Sequence, residues 1–172
     1  MALIQSVRGH TPQLPDDIFL AENATVIGDV QMGTGCTLWY NAVIRGDVNS
    51  IRIGRETNIQ DFVMVHCTYQ TASTTIGNRV SLGHHAVVHG CTIHDDVLIG
   101  MGAKVMDHAV VESDVLVAAG ALVPPGKRLV SGFLYAGLPA KKVRPLTEDE
   151  RQMIRQTAQN YQLYASWYRE QH

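Results

Sequence analysis

Residues 97–123 read VLIGMGAKVMDHAVVESDVLVAAGALV, and within them an aliphatic residue returns at every sixth position: Ile99, Val105, Val111, Val117 and Val123. Four residues after each of the first four stands alanine or valine, at Ala103, Ala109, Val115 and Ala121. Towards the N-terminus the same pulse passes through Ile93, Val88, Leu82 and Ile76, then Val65, Ile59 and Ile53, and begins with Leu20, Val26, Met32, Leu38 and Ile44. The small slot travels with it, at Ala24, Cys36, Ala42 and Ala86 among others. Short strands repeating every six residues stack into a parallel β-helix whose axis is filled by the repeated aliphatic. Leu20 to Val123 spans 103 residues, which at three faces per coil predicts roughly six coils at a strand spacing of about 4.8 Å.

The flanking segments complete an all-β fold with a C-terminal helix. Residues 1–19 carry Pro12 and Pro15 and read as an edge strand and loop covering the first coil, since an open edge of stacked strands invites further pairing. After Val123, Pro124-Pro125-Gly126 reads as the end of the regular coil, followed by a connecting stretch through Gly137 and Pro139. Thr147 and Glu150 form a capping box that opens a helix. Met153, Ile154, Ala158, Tyr161, Ala165 and Tyr168 then recur at helical spacing and give it one apolar face. The organisation expected is a β-helix domain with its N-terminal cap over residues 1–145 and a helix over residues 146–172 packed on it.

Composition narrows the function classes. The 172 residues suit one well-buried domain. A net charge of -2 without a basic run excludes a general nucleic-acid binder. Met1 to His10 has no charged start leading into an apolar stretch, and no apolar run reaches membrane-spanning length. A soluble cytoplasmic protein with no membrane partner is expected. Cys36, Cys67 and Cys91 are odd in number and lack framework spacing, which reads as reduced thiols. Cys36 fills a small slot, whereas Cys67 and Cys91 lie close enough to His66 and His89 for thiolate ligation to be weighed against simple burial.

Against a repetitive aliphatic scaffold, His66, His84 and His89 stand out. His66 and His84 are 18 residues apart, nominally one full coil, and His89 is one strand further on. Imidazole is a common zinc ligand, and catalytic zinc takes three protein ligands with water at the fourth position. His84 and His89 sit on either side of a corner, so a trimer would bring all three to one ion by drawing ligands from two subunits. His10, His85, His94, His108 and His172 read as solvated or hydrogen-bonded, with strand alternation turning His85 away from His84. Arg45-Gly46-Asp47 and Asn58, Gln60 and Asp61 form a second polar group, suited to ion pairs between subunits or to orienting a metal-bound water. Three slips in the pulse, at Asp47 to Arg52, Cys67 to Thr75 and Val88 to Ile93, lie close to these residues, and breaks in a regular scaffold commonly display functional groups.

These residues together resemble the γ-class carbonic anhydrase family: Ile44-Arg45-Gly46-Asp47, then Asn58-Ile59-Gln60-Asp61 followed by His66, then Gly83-His84 with His89-Gly90-Cys91. The resemblance covers nearly the whole chain, through Gly137-Leu138-Pro139-Ala140-Lys141 and the terminal helix, and the chain is particularly similar to the short bacterial members that lack long insertions. It implies a left-handed parallel β-helix, a homotrimer, and zinc sites at subunit interfaces with His66 and His89 from one chain and His84 from the next. Iron or cobalt would suit the same imidazoles. It further implies Gln60 beside the metal-bound water, Arg45 and Asp61 as an interface ion pair, and Tyr135 as a tyrosine near the active site. The reaction implied is reversible hydration of carbon dioxide to bicarbonate. The chain departs from the better-known pattern at Val48, where those members carry glutamate, and in a Cys67–Thr75 loop without an acidic residue, which leaves His85 or Tyr69 to pass protons. Three other functions fit parts of the pattern: a hexapeptide acyltransferase with one histidine as base and coenzyme A between subunits, a metal-dependent thioesterase, and a non-catalytic trimeric scaffold tied by zinc.

Overall fold

The structure, a computed structural model, describes residues 1–169, so His172 and the end of the expected 146–172 segment lie outside the described residues. The chain winds as a three-sided parallel column. The first face stacks Leu3–Gln5, the leading halves of Thr25–Met32 and Val43–Ile53, then Met64–His66, Val87–His89, Lys104–Val105 and Leu122–Val123. The second stacks the trailing halves of the two long strands on Thr74–Ile76, Thr92–Ile93, Val110–Val111 and Arg128–Leu129. The third runs from Phe19–Leu20 through Thr37–Leu38, Asn58–Ile59, Ser81–Leu82, Leu98–Ile99 and Leu116–Val117 to Phe133–Ala136. An antiparallel strand, Lys141–Pro145, closes its far edge.

The repeated aliphatics fill the axis as the six-residue pulse requires: Leu38, Ile59, Leu82, Ile99 and Val117 are stacked on the third face and fully buried. The column is longer than its sequence suggested. The third face holds seven rungs, the last with Tyr135 stacked on Val117, and on the second face Leu129 stacks on Val111, both beyond Pro124-Pro125-Gly126. Those prolines make a corner instead of ending the coil. The corner needs a left-handed residue, which Gly126 supplies at φ 70°, in the place that His85, His108 and Asp114 occupy at other corners. Gly126 N–H then donates to the Asp107 carbonyl, so the missing proline N–H groups are not called on there.

The terminal helix, Glu148–Arg169, begins at the expected capping box: Thr147 N–H donates to Glu150 Oε2 at 2.9 Å, and Glu150 N–H to Thr147 Oγ1 at 3.2 Å. It lies over the third face of its own column, burying Ile154, Ala158 and Ala165, while Met153 and Tyr168 stay at the exposed margin. Beneath it the outward residues of that face, Thr37, Asn58 and Ser81, are fully buried yet satisfied, with Trp39 Nε1 donating to Thr37 Oγ1 and Asn58 Nδ2 to Ser81 Oγ.

Candidate metal centre

The three slips in the pulse fall at one corner, between the first and second faces, and lie one above another. Asp47 to Ser50 bulge from the strand pairing between Gly28/Gly46 and Val30/Ile51. Thr68 and Ala72 pair across a tight loop in the next coil. Gly90 turns the third at φ 57°, where an added Cβ would fall 2.6 Å from Asp107 Oδ1. Immediately before this corner, Arg45, His66 and His89 occupy equivalent places on successive coils, with His66 and His89 in direct register. Thr74 ties the coils together from below. Its buried hydroxyl donates to the His66 carbonyl at 2.5 Å and accepts from Gly90 N–H at 2.9 Å.

The two imidazoles face each other, His66 Nδ1 to His89 Nε2 at 3.1 Å. Their outer nitrogens are held by carboxylates: His66 Nε2 lies 3.0 Å from Asp47 Oδ1, and His89 Nδ1 lies 2.5 Å from Asp107 Oδ1. Arg45 braces Asp47 at 2.5 Å, and the Thr68 hydroxyl donates to Asp107. Burial alone would raise both carboxyls, but hydrogen bonds from His66 and Arg45 hold Asp47, and those from Thr68 and His89 hold Asp107, below the ordinary carboxylate range. Burial pushes His66 the other way, below its usual value. Ionised aspartates accept the ring N–H groups of the outer nitrogens, and with both rings neutral the inner nitrogens would set two lone pairs against each other. Such a pair is stable only with a cation between, a proton or a metal. Two nitrogens bound tetrahedrally to one zinc at about 2.0–2.1 Å would stand about 3.3 Å apart, close to the spacing here. The donor set fits a divalent metal with carboxylate-backed imidazoles.

His84 stands elsewhere. It lies in a turn at the opposite edge of the first face, with its Nδ1 2.9 Å from Asp61 Oδ2. Tyr40, Asp61, His84 and Met101 climb that edge coil by coil, tied through the Phe62, His85 and Gly102 N–H groups. Gln60 fixes the turn: its Oε1 accepts His84 N–H at 3.1 Å and its Nε2 donates to Asn58 Oδ1 at 3.0 Å. Accordingly, among the described residues no three His, Cys, Asp or Glu side chains converge on one point within the chain.

One smaller expectation is corrected. His85 is not on a strand; it occupies the left-handed corner beside His84 and stacks on Phe62 at 4.8 Å with rings nearly parallel. Cys67 and Cys91 are buried in the core, and burial pushes the Cys91 thiol up to about 12, so both pack as small apolar side chains. Arg45 and Asp61 do not meet within the chain, since Arg45 pairs with Asp47 and Asp61 with His84 at the other edge. Tyr135 is buried in the last rung, its hydroxyl accepting Val130 N–H at 2.8 Å, and is not beside the histidines of its own chain. Asp107 and Thr74 carry the site but were not read from the sequence. The signal available for Asp107 was its spacing of one coil, 18 residues, from His89.

The comparisons with known proteins agree with this fold. The family described as "Bacterial transferase hexapeptide (six repeats)" matches residues 90–125. The chain is 46% identical to "Gamma carbonic anhydrase 2, mitochondrial" of Arabidopsis thaliana over 95% of its length, although it spans only 62% of that plant protein. It is 43% identical to the "Probable carbonic anhydrase" of Methanocaldococcus jannaschii, covering 84% of this chain and 91% of that one. A solved hexapeptide transferase family protein from Anaplasma phagocytophilum superposes with a TM-score of 0.93 at 40% identity, covering 96% of this chain and 98% of that one. A Bacillus cereus structure described as a putative acetyltransferase superposes at 0.96 with 33% identity and 99% coverage of both. The two transferase-named structures and the named carbonic anhydrase of Methanocaldococcus jannaschii all match along nearly their whole length. The chain belongs to the γ carbonic anhydrase family of hexapeptide-repeat proteins.

Proposed function

We propose that the protein hydrates carbon dioxide reversibly to bicarbonate at a zinc ion held between copies of the chain in a homotrimer, with His66 and His89 from one copy and His84 from the next. The observation that carries this reading is the pair of facing ring nitrogens, His66 Nδ1 and His89 Nε2, 3.1 Å apart with an aspartate behind each ring. Zinc, when bound, supplies a water acidified to a pKa of about 7, a nucleophile at neutral pH. Iron or cobalt would serve the same ligands. Asp47, Asp107 and Asp61 hold the three rings in position. Gln60 uses its Oε1 and one Nε2 proton within the chain and keeps the second proton as a donor for a substrate oxygen. Arg45 and Asp61, at opposite edges of one face, are placed to pair between copies. Val48 and the acid-free loop give no carboxyl for proton export, so that step falls to the exposed ring of His85 beside His84. No helix among the described residues is long and apolar enough to cross a membrane, and the buried free cysteines support a cytoplasmic location.

A second reading, a trimer tied by zinc without turnover, is favoured by that same lack of acidic residues. Metal content of protein purified without chelator, followed by stopped-flow carbon dioxide hydration, separates the two. About one ion per chain with hydration above buffer is the expected result. Metal without hydration selects the scaffold, or a thioesterase if thioesters are cleaved. No metal after reconstitution with zinc or iron removes both and leaves acyl transfer.

A further inference from the structure

An exposed arginine near the start of the chain occupies a position that its backbone does not favour. Val7 and His10 exchange both backbone hydrogen bonds at 3.0 Å, so Arg8 and Gly9 are the two central residues of a tight hairpin, at φ 53° and 80°. Positive φ at both places is the type I′ geometry, for which asparagine and glycine are preferred. The turn itself gives arginine no advantage, which directs attention to its side chain. The guanidinium lies over the Tyr69 ring, 5.6 Å from the centroid, and Nη1 donates to the Asp47 carbonyl at 3.5 Å. Asp47 and Tyr69 belong to two of the slips stacked at the metal corner, and the Asp47 carboxylate holds His66. Arg8 therefore reaches from the N-terminal hairpin to the rim of that corner.

Beside it opens a polar pocket of about 400 Å³, lined by Arg8, His10, Asp29, Asp47, Asn49 and Arg52 among others. Both carboxylates of this lining are engaged: Asp29 by Arg52 at 2.8 Å, and Asp47 by His66 and Arg45. Arg8 has no carboxylate partner among the described residues, so the uncompensated charge here is positive. Its one long bond to a carbonyl leaves the rest of the guanidinium fork open, and that fork matches a planar pair of oxygens in two parallel hydrogen bonds. Carbon dioxide is neutral and has no use for such a charge, whereas bicarbonate is a planar monoanion. We propose that Arg8 holds bicarbonate at the rim of the metal corner as the ion leaves or approaches the metal. The identity of the anion rests on the hydration reading; the contact itself is made by the chain and not by the metal.

Nuclear magnetic resonance follows this side chain directly. In isotope-labelled protein the Arg8 Nε–H signal, assigned by its loss in Arg8→Met, should shift saturably with bicarbonate and with nitrate, an unreactive planar monoanion, at constant ionic strength. Neutral urea should not shift it. Chelator-treated protein should keep the nitrate response, which separates Arg8 from any anion bound to metal. In zinc-loaded protein Arg8→Met should raise KM for bicarbonate in dehydration at least about threefold, the scale of an exposed charge pair. Arg55→Met, at an exposed arginine outside the pocket, should leave that KM unchanged. Circular dichroism and zinc content verify that Arg8→Met is folded and loaded. An Arg8 signal indifferent to both anions, an equal shift with urea, or an unchanged KM in Arg8→Met would overturn the proposal even with hydration intact. Zinc-loaded wild type without hydration would instead overturn the hydration reading, and with it bicarbonate as the ligand, whatever the nitrate titration gives.

Discussion

Replacing Asp107 with asparagine asks whether the carboxylates behind the histidines govern metal binding. Asp107 Oδ1 stands 2.5 Å from His89 Nδ1, and its other oxygen accepts the Thr68 hydroxyl. Asparagine keeps the size and one acceptor but loses the charge, and charge-assisted hydrogen bonds are about twice as strong as neutral ones. The neutral partner no longer raises the basicity of His89 Nε2, and a flipped amide would set its NH2 group against the ring N–H. Losing such a partner costs about tenfold to hundredfold in metal affinity, which corresponds to about 1.4–2.7 kcal/mol. Asparagine should fall near the lower bound. Asp107→Ala, which also abandons Thr68, should approach the upper one.

The assay is equilibrium competition for zinc with a chromogenic chelator, with circular dichroism to verify the fold. Asp47→Asn acts on the other imidazole, so if both rings serve one ion the two losses multiply to about hundredfold or more in the double variant. Asp95→Asn is the control, because Asp95 hydrogen-bonds Asn78 away from the histidines. Zinc affinity of folded Asp107→Asn within about twofold of wild type would refute the reasoning, since it falls well short of the loss expected for such a partner.

Ile99→Ala, at a fully buried rung between Leu82 and Val117, should cost about 2–5 kcal/mol in urea unfolding; a near-neutral result would show that the axis is loosely packed there. Cys36, Cys67 and Cys91 are all buried with thiols raised by burial, so native protein should resist labelling by a thiol reagent and denatured protein should label at every cysteine. Rapid native labelling would contradict the packing. Arg144 and the Thr147 N–H lower Glu150 from 4.5 to about 2. Its contribution to helix docking is therefore complete above pH 4.5 and is lost as pH falls towards 2, and tryptophan fluorescence should show Glu150→Gln less sensitive over that window than wild type.

The column was legible because its signal is redundant: every rung repeats the same aliphatic and small slots, so single irregularities did not obscure it. The seventh coil was obscured by Pro124-Pro125, since proline usually marks a stop. Here it serves as a corner residue, and Leu129 and Tyr135 keep the step of six beyond it. At the site, His66 and His89 were legible as odd residues on the repeat. Asp107 and Thr74 were not, because an aspartate at a corner and a threonine in a strand look like ordinary scaffold until coil stacking places them under the histidines. His85 was misassigned for a related reason. Strand alternation does not apply to a left-handed corner residue, and the chain uses ordinary residues as well as glycine at such corners.

The separation of the half-sites leads to the last prediction. His66 and His89 stand at one edge of the first face and His84 at the other, so a site that needs all three joins unlike edges of two copies. Joining unlike edges either closes a ring, as in the trimer proposed above, or runs on as a fibre. His66→Ala alone and His84→Ala alone should each abolish tight metal binding. In an equal mixture with verified subunit exchange, a site is intact only when its His66 comes from the His84→Ala chain and its His84 from the His66→Ala chain. Random assembly makes that about one quarter of sites. Recovery of metal near that fraction follows only if ligands come from two chains, whereas a site built within one chain recovers none, because neither variant carries both histidines.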